Sequence, residues 1–213
     1  MMGIATRAPS SAHVPLRSPP SRAYRMAMPV HVPDPDWTVE RALALPDDGN
    51  RHEVLDGELF VTPSPSWGHQ AVLDALYARV REHVRAHRLG WTRWSPADIV
   101  LSPRRLLQPD LFVVPWRDGG PPRAWSEVTS LLLAVEVLSP STARADRHRK
   151  RLIYQSEGVP EYWIVDSDAR LVERWRPGDE RPEILHDALV WLPAPGIAPL
   201  SIDLPALFDD AAR

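Results

Sequence analysis

The spacing of apolar residues along the chain predicts alternating helices and strands. Between residues 66 and 89, apolar side chains recur every three or four positions, which is typical of a helix with one buried face. Ser66 is a suitable N-terminal cap for this helix, and Gly90 is expected to end it. The apolar stripe consists of Val72, Leu73, Leu76, Tyr77, Val80 and Val84.

Two further helices are predicted on either side of this one. Residues 38–45 form a short helix, and residues 143–157 form a longer one for which Ser141 or Thr142 is the candidate cap. A proline follows each segment closely. Because proline cannot continue a helix, it supports both predicted ends.

The strand pattern predicts an α/β fold. Residues 51–61 form a hairpin, because Asp56-Gly57 between short apolar runs is typical of a tight turn. Residues 131–138 form a continuous apolar run, which is typical of a buried central strand. A helix between this strand and the one at 162–165 predicts a parallel pair. The remaining predicted strands are 91–94, 99–101, 111–114, and an edge hairpin formed by 171–175 and 183–186.

Both ends of the chain lack this periodicity. Residues 1–34 are rich in proline, serine and arginine, so we expect a disordered tail. Residues 193–213 are also expected to be irregular. A single α/β domain is therefore predicted over residues 35–192, with helices flanking its sheet.

Composition narrows the functional classes. The chain contains no cysteine, which excludes thiolate zinc sites and cysteine nucleophiles and is typical of the cytoplasm. The net charge of -3 argues against a protein that coats nucleic acid non-specifically. No apolar run approaches the ~20 residues of a membrane-spanning helix. We therefore expect a cytoplasmic protein without a membrane partner.

Two acids lie where a lone carboxylate is costly. Asp110 directly precedes the strand at 111–114, and Glu136 lies inside the apolar strand at 131–138. A buried carboxylate needs a partner or a cation. The alternatives are that Asp110 belongs to a turn and that Glu136 pairs with an arginine. Taken together, the two carboxylates predict a hard-cation site, since Mg²⁺ takes one or two carboxylates and keeps several waters.

Lys150 is the only lysine in a chain with 25 basic lysine and arginine residues. It shares a helix face with Asp146, four residues earlier. The compact charge of an ammonium group can hold a water or a phosphate oxygen. The alternative is a solvated lysine that pairs with Asp146.

Other polar residues are weaker candidates. Glu53 and Glu58 flank the hairpin turn and can add a carboxylate to the site, with Glu58 slightly favoured over a surface role. His69, in the first turn of the long helix, can bind phosphate or act as an acid or base. The basic residues around Lys150 either contact DNA phosphates or form a solvated face. Those residues are Arg144, Arg147, His148, Arg149 and Arg151.

Several sequence strings resemble the Uma-two family of restriction endonucleases, within the PD-(D/E)xK nuclease superfamily. They are EVLDGELFVTPSP, QPDLFVV, AVEVLSPST and YQSEGVPEYWIVD. The resemblance implies a restriction-endonuclease-like fold, with a mixed central β-sheet flanked by helices. It also implies that Asp110 and Glu136 are the motif acids. Leu138 stands where the short motif has its lysine, so Lys150 on the following helix would take that place.

The leading hypothesis is an endonuclease that uses Mg²⁺ or Mn²⁺ to hydrolyse DNA phosphodiester bonds. Asp110 and Glu136 would hold the metal together with a backbone carbonyl near Val137, and Lys150 would position the attacking water. Glu58 and His69 are additional candidates. The alternative is a catalytically degenerate module that binds nucleic acid or protein. The tryptophans also offer an aromatic surface for a homodimer.

Overall fold

The computed structural model describes residues 30–32, 36–140 and 142–213. Its helices are α1 (Val39–Leu43), α2 (Trp67–Ala86), α3 (Ala143–Ala145), α4 (Arg151–Ser156) and α5 (Leu204–Ala211). A π-helical turn, Asp146–Lys150, joins α3 to α4, and a short 3-10 turn covers Trp125–Glu127.

The strands are β1 (Val30–Val32), β2 (Arg51–Leu55), β3 (Glu58–Thr62), β4 (Gly90–Trp94), β5 (Ile99–Ser102), β6 (Arg105–Leu107), β7 (Leu111–Pro115), β8 (Leu133–Val137), β9 (Glu161–Asp166), β10 (Leu171–Trp175), β11 (Glu183–Leu185), β12 (Ala188–Trp191) and β13 (Leu200–Asp203). The long helix, both hairpins and the central strands thus lie where the apolar pattern predicts them.

A mixed six-stranded sheet forms the centre of the fold, in the order β11-β10-β9-β8-β7-β4. Strands β8 and β9 are parallel, as the intervening helix predicts. The other neighbours are antiparallel. This arrangement confirms the predicted α/β class with a mixed central sheet.

A second, antiparallel sheet covers part of the first, in the order β1-β3-β2-β6-β5. Leu55 of β2 and Leu107 of β6 pack in one apolar cluster with Phe112 and Ile164 of the central sheet and Tyr154 of α4. The opposite face of the central sheet packs against α2 and α5. The central sheet therefore has a helix layer on one face and a mixed layer on the other.

The long helix ends differently from the prediction. It stops at Ala86, and the chain reverses at Arg88, whose φ is +51°. Gly90 is already the first residue of β4, with φ +152°. A Cβ at this glycine would lie 1.9 Å from the carbonyl oxygen of Val114. Gly90 is therefore required by the close approach of β7 rather than by the helix end.

The helix predicted at 143–157 contains an interruption that the pattern does not reveal. The N–H of Arg151 donates to the carbonyl of Asp146, five residues earlier, so the middle of the helix is one π turn. Thr142 occupies the cap position but its side chain makes no capping hydrogen bond. The other candidate cap, Ser141, lies outside the described residues.

The expectation of an irregular C-terminus is wrong. Strand β13 pairs with β12, and α5 follows with Asp203 as its cap. Leu204, Leu207 and Phe208 are buried against the central core. Prolines precede this segment and one lies inside it, so the sequence pattern does not reveal an amphipathic helix that is only two turns long. The folded part of the chain thus extends beyond residue 192.

The expected N-terminal tail, residues 1–34, lies almost entirely outside the described residues. The exception is β1, whose Val30 and Val32 pair with β3 in the second sheet. Within the described part of the chain, no helix has the length and apolar character needed to cross a membrane.

Replacing Leu207 with alanine tests whether α5 belongs to the core. Leu207 is fully buried, so Leu207→Ala should lower the free energy of unfolding by about 2–5 kcal/mol. Leu192→Ala, at a leucine that is 65% exposed, should change it by less than about 0.5 kcal/mol. Chemical denaturation provides the measurement. Equal, small effects for the two variants would mean that α5 does not pack as described.

Candidate active site

The two candidate acids meet on one face of the central sheet. Strand β7 starts directly after Asp110 and runs antiparallel to β8, with Leu111 paired to Val135. This register sets Asp110 opposite Glu136. Because side chains alternate along a strand, both acids share the face occupied by Phe112 and Ala134. Each carboxylate residue is only 2% exposed.

Asp110 is held by groups from three elements. Arg51 on β2 donates from Nη1 to Asp110 Oδ1 at 2.7 Å, and the Val137 backbone N–H donates to Oδ2 at 2.9 Å. His69 Nε2 on α2 lies 3.2 Å from the same Oδ2. Burial alone would raise the pKa of Asp110, but His69 and Arg51 hold it well below its usual value. Asp110 is therefore a firmly ionised carboxylate.

Lys150 lies at the centre of three carboxylates. Its Nζ is 2.9 Å from Glu53 Oε2, 3.0 Å from Glu136 Oε1 and 3.4 Å from Asp146 Oδ1. The residue is 3% exposed. Burial would lower the pKa of the ammonium, but Glu136, Glu53 and Asp146 together raise it well above its usual value. Lys150 is thus a buried, charged ammonium, and the reading of a solvated surface lysine is wrong.

The π-helical turn presents Lys150 and Asp146 to the sheet. Both residues are buried, at the two ends of this turn. The Tyr162 hydroxyl of β9 donates to the Asp146 carbonyl at 3.3 Å, which ties the widened turn to the central sheet. Single π turns within helices are frequent at functional sites. Here the turn carries two of the charged groups of the site.

Glu136 differs from Asp110 in its electrostatics. Its Oε1 accepts from Lys150 Nζ and from the Tyr154 hydroxyl, at 3.0 and 3.2 Å. Burial, opposed by Lys150 and reinforced by Asp110, raises the pKa of Glu136 well above its usual value. The two acids therefore have pKa values pushed in opposite directions.

Of the two hairpin acids, Glu53 reaches the site and Glu58 does not, which is the reverse of the order expected from the sequence. Glu53 reaches the site: its Oε1 accepts from the Gln108 backbone N–H at 2.8 Å, and its Oε2 faces Lys150. Glu58 lies outside this cluster, where Arg149 donates to its Oε2 at 3.0 Å. Glu53 is thus the acid that the second sheet brings to Lys150. His69 does lie at the site, beside Asp110.

Two site residues, Arg51 and Tyr154, escape the sequence patterns, and the sequence ranks Glu53 below Glu58. Arg51 and Glu53 lie at the polar start of a hairpin strand, where charged residues are usually solvated. Tyr154 continues an ordinary apolar helix stripe. The one available signal was their alternation, since Arg51, Glu53 and Leu55 project from one face of β2.

The charges suit a divalent cation. Four buried carboxylates, from Glu53, Asp110, Glu136 and Asp146, face the buried ammonium of Lys150 and the partly buried guanidinium of Arg51, and the His69 imidazole lies beside Asp110. The carboxylate of Asp146 is buried, and its contact with Lys150 Nζ is the longest of the three, at 3.4 Å. Oxygen ligands are the ones that Mg²⁺ prefers. No three histidine or acidic side chains among the described residues form a ready-made metal cage, so a cation would rely on one or two carboxylates and water.

An open cavity of about 530 Å³ leads to Lys150. The hairpin β2–β3 forms one wall and the segment from Thr142 to Lys150 forms the other. Glu53 and Lys150 belong to its lining, so the charged cluster is reachable from solvent. The other lining residues are Leu55, Phe60, Thr62, Thr142, Arg144, Ala145, His148 and Arg149.

Comparisons with known proteins identify the class. The model of the Uma2 family, described as "Putative restriction endonuclease", matches residues 39–205. A crystal structure described as "a putative nuclease belonging to DUF820" from Anabaena variabilis ATCC 29413 has a TM-score of 0.67. That likeness covers 82% of this chain and 99% of the other, at 20% identity, and shows the fold. No curated protein matches the chain in sequence.

The fold is therefore that of a nuclease-like α/β protein. By the extent of the match, the chain belongs to the Uma2 family. The match also reaches into β13 and the start of α5, which agrees with the folded C-terminal segment.

Replacing Asp146 with asparagine tests the electrostatics of the π turn. Burial raises the pKa of Asp146 from near 3.8 to about 6, against the opposing effect of Lys150. The folded state thus binds this proton more tightly, and the stability it contributes is present below about pH 4 and lost as the pH rises through 6. At pH 8, Asp146→Asn should be about 1–3 kcal/mol more stable than the wild type.

Denaturant unfolding at pH 4 and pH 8 measures this difference. Asp74→Asn, at an exposed helical aspartate, is the matched control and should show no such gain. A less stable Asp146→Asn variant at pH 8 would mean that the ionised Asp146 is a net stabilising partner of Lys150.

Proposed function

We propose that this protein is a Mg²⁺- or Mn²⁺-dependent endonuclease that hydrolyses DNA phosphodiester bonds. The observation that carries the proposal is the buried trio of Asp110, Glu136 and Lys150, with Lys150 Nζ 3.0 Å from Glu136. Membership of the Uma2 family supports it. The absence of cysteine supports a cytoplasmic location.

Asp110 and Glu136 are the proposed metal-binding side chains, with the Val137 carbonyl as a further oxygen ligand. A bound Mg²⁺ would activate water and offset charge on a phosphoryl transition state. Asp110 is suited to this role because Arg51 and His69 keep it ionised. The Val137 N–H bond to Asp110 also fixes the carboxylate against β8.

Lys150 is the group proposed to position the attacking water or a phosphate oxygen. Its ammonium is charged, compact and close to Glu136. The shared contacts with Glu53 and Asp146 fix its position before substrate binds, which is the arrangement that makes electrostatic stabilisation effective.

His69 and Glu58 receive different assignments. His69 contacts Asp110 and acts as a positioning residue for that carboxylate. Glu58 pairs with Arg149 at the cavity, so its proposed task is to orient a basic side chain rather than to bind metal. Arg144, His148 and Arg149 are exposed and line the cavity, which suits contacts to phosphates.

One observation favours the alternative of a catalytically degenerate binding module. Asp110 already accepts hydrogen bonds on both carboxylate oxygens, from Arg51 and from the Val137 N–H. Glu136 Oε1 already accepts one from Lys150 Nζ. A chain that keeps these contacts permanently would bind nucleic acid or protein without cleaving it. A homodimer through exposed tryptophans such as Trp94 and Trp116 stays a prediction.

Cleavage of plasmid DNA and of circular single-stranded DNA in Mg²⁺ or Mn²⁺ tests the nuclease activity. The wild type should cleave at least one of the two DNAs, and Asp110→Asn should lose at least about 100-fold in rate, because it removes a carboxylate proposed to hold the metal ion. Asp118→Asn, at an exposed aspartate beyond β7, should retain full activity. Cleavage that survives in Asp110→Asn would show that the activity comes from elsewhere.

Titration calorimetry with Mn²⁺ separates the enzyme from the binding module. The wild type should bind the ion, and Glu136→Gln should weaken binding by about tenfold or more, since a carboxylate ligand is lost. Glu58→Gln is the matched control and should bind as the wild type does. A wild type with no measurable affinity would favour the degenerate module.

A further inference from the structure

The cavity beside Lys150, called the slot below, lies between the hairpin β2–β3 and the segment 142–150. The apolar wall from the hairpin contains Leu55 and Phe60, and the facing wall contains Ala145. Its volume of about 530 Å³ lies within the ~300–1,000 Å³ typical of sites for small organic molecules. The slot is therefore large enough for one nucleotide and its base.

The polarity of the slot changes from one end to the other. Arg144, His148 and Arg149 are exposed along its rim. Glu53 and Lys150, by contrast, are almost fully buried and belong to the charged cluster. Apolar and aromatic walls suit the face of a base, and basic groups at the rim suit phosphates. This order matches an unpaired nucleotide.

The burial of the charged cluster argues against an intact duplex. Glu136 and Lys150 are only 2% and 3% exposed, so the phosphodiester must approach them through the slot. A duplex is stiff over many base pairs, and its paired bases cannot enter a slot of this size. An unpaired nucleotide can leave its stack and be held between apolar and aromatic side chains.

Trp67 provides a second, independent observation. It is the first residue of α2 and is 89% exposed, so its large ring gains almost nothing from burial. It lies two residues before His69, which contacts Asp110. Exposed aromatic rings beside a basic surface are the stacking platforms of proteins that bind single strands. Trp67 does not line the cavity, but it lies in the same helical turn as His69, so its exposed ring is on the Asp110 side of the charged cluster, where a neighbouring base can stack.

We propose that the site takes unpaired, single-stranded nucleic acid, with one base in the slot between β2–β3 and the segment 142–150 and a neighbouring base on Trp67. This proposal rests on the proposed function only for the cleavage step. The binding step is independent of cleavage and can be measured without metal.

Fluorescence anisotropy in EDTA tests the binding step. A labelled single-stranded oligonucleotide should bind at least about tenfold more tightly than the blunt duplex of the same sequence, which cannot stack on Trp67. Trp67→Ala should weaken single-strand binding by about tenfold, and Trp67→Phe should restore most of it. Trp116→Ala, at an exposed tryptophan beyond the opposite end of β7, is the matched control and should have no effect.

The salt dependence of binding tests the proposed contact between Arg144 and a phosphate. Arg144→Ala should reduce the slope of log K against log salt by about 0.7, the value for one contact to a single strand. Arg85→Ala is the control, because Arg85 is exposed near the far end of the 20-residue helix α2. Equal slopes for wild type and Arg144→Ala would contradict the proposed contact between Arg144 and a phosphate.

The same oligonucleotides in Mg²⁺ or Mn²⁺ separate this proposal from the nuclease function. Duplex that is bound and cut as well as, or better than, single strands would overturn the proposal and leave the nuclease function standing. Binding of neither form would also overturn it. Tight single-strand binding without cleavage would support the substrate class and contradict the nuclease function.

Discussion

The burial of one ammonium group among three carboxylates is the constraint on which the site depends. Lys150 Nζ has three N–H donors, and Glu53, Glu136 and Asp146 surround it. Taking these charges out of water costs several kcal/mol per ion, so the carboxylates are tolerated only while the ammonium offsets their charge. The acids come from both sheets and from the π turn. The position of each element is therefore tied to the charge on a single side chain.

The rest of the fold can be understood as support for that cluster. The antiparallel register of β7 and β8 brings Asp110 beside Glu136, and Tyr162 ties the π turn to β9. Helix α2 packs its apolar stripe on the opposite face and extends His69 to Asp110. Each of these elements places one polar group at the site and buries an apolar face elsewhere. The site is rigid because its polar groups are attached to the packed core.

The sequence predicts the central acids well and the surrounding groups poorly, for physical reasons. Asp110 and Glu136 stand out because a carboxylate within an apolar strand needs a partner. Lys150 stands out because it is the only lysine. Arg51 and Glu53 have no such contrast, since they lie in the polar first half of β2, where charged residues are usually solvated. Their importance comes from the docking of one sheet on another, which depends on contacts between residues more than fifty positions apart.

The two ion-paired residues of β2 have a consequence for when the site exists. Arg51 forms an ion pair with Asp110, and Glu53 forms one with Lys150. Two residues on one face of β2 therefore contact both parts of the charged cluster. The hairpin is made early in synthesis, whereas Asp110 follows Arg51 by 59 residues and Lys150 is added later still. A nascent or partly unfolded chain has the acids but not their arrangement. The charged cluster is therefore complete only after the two sheets have assembled.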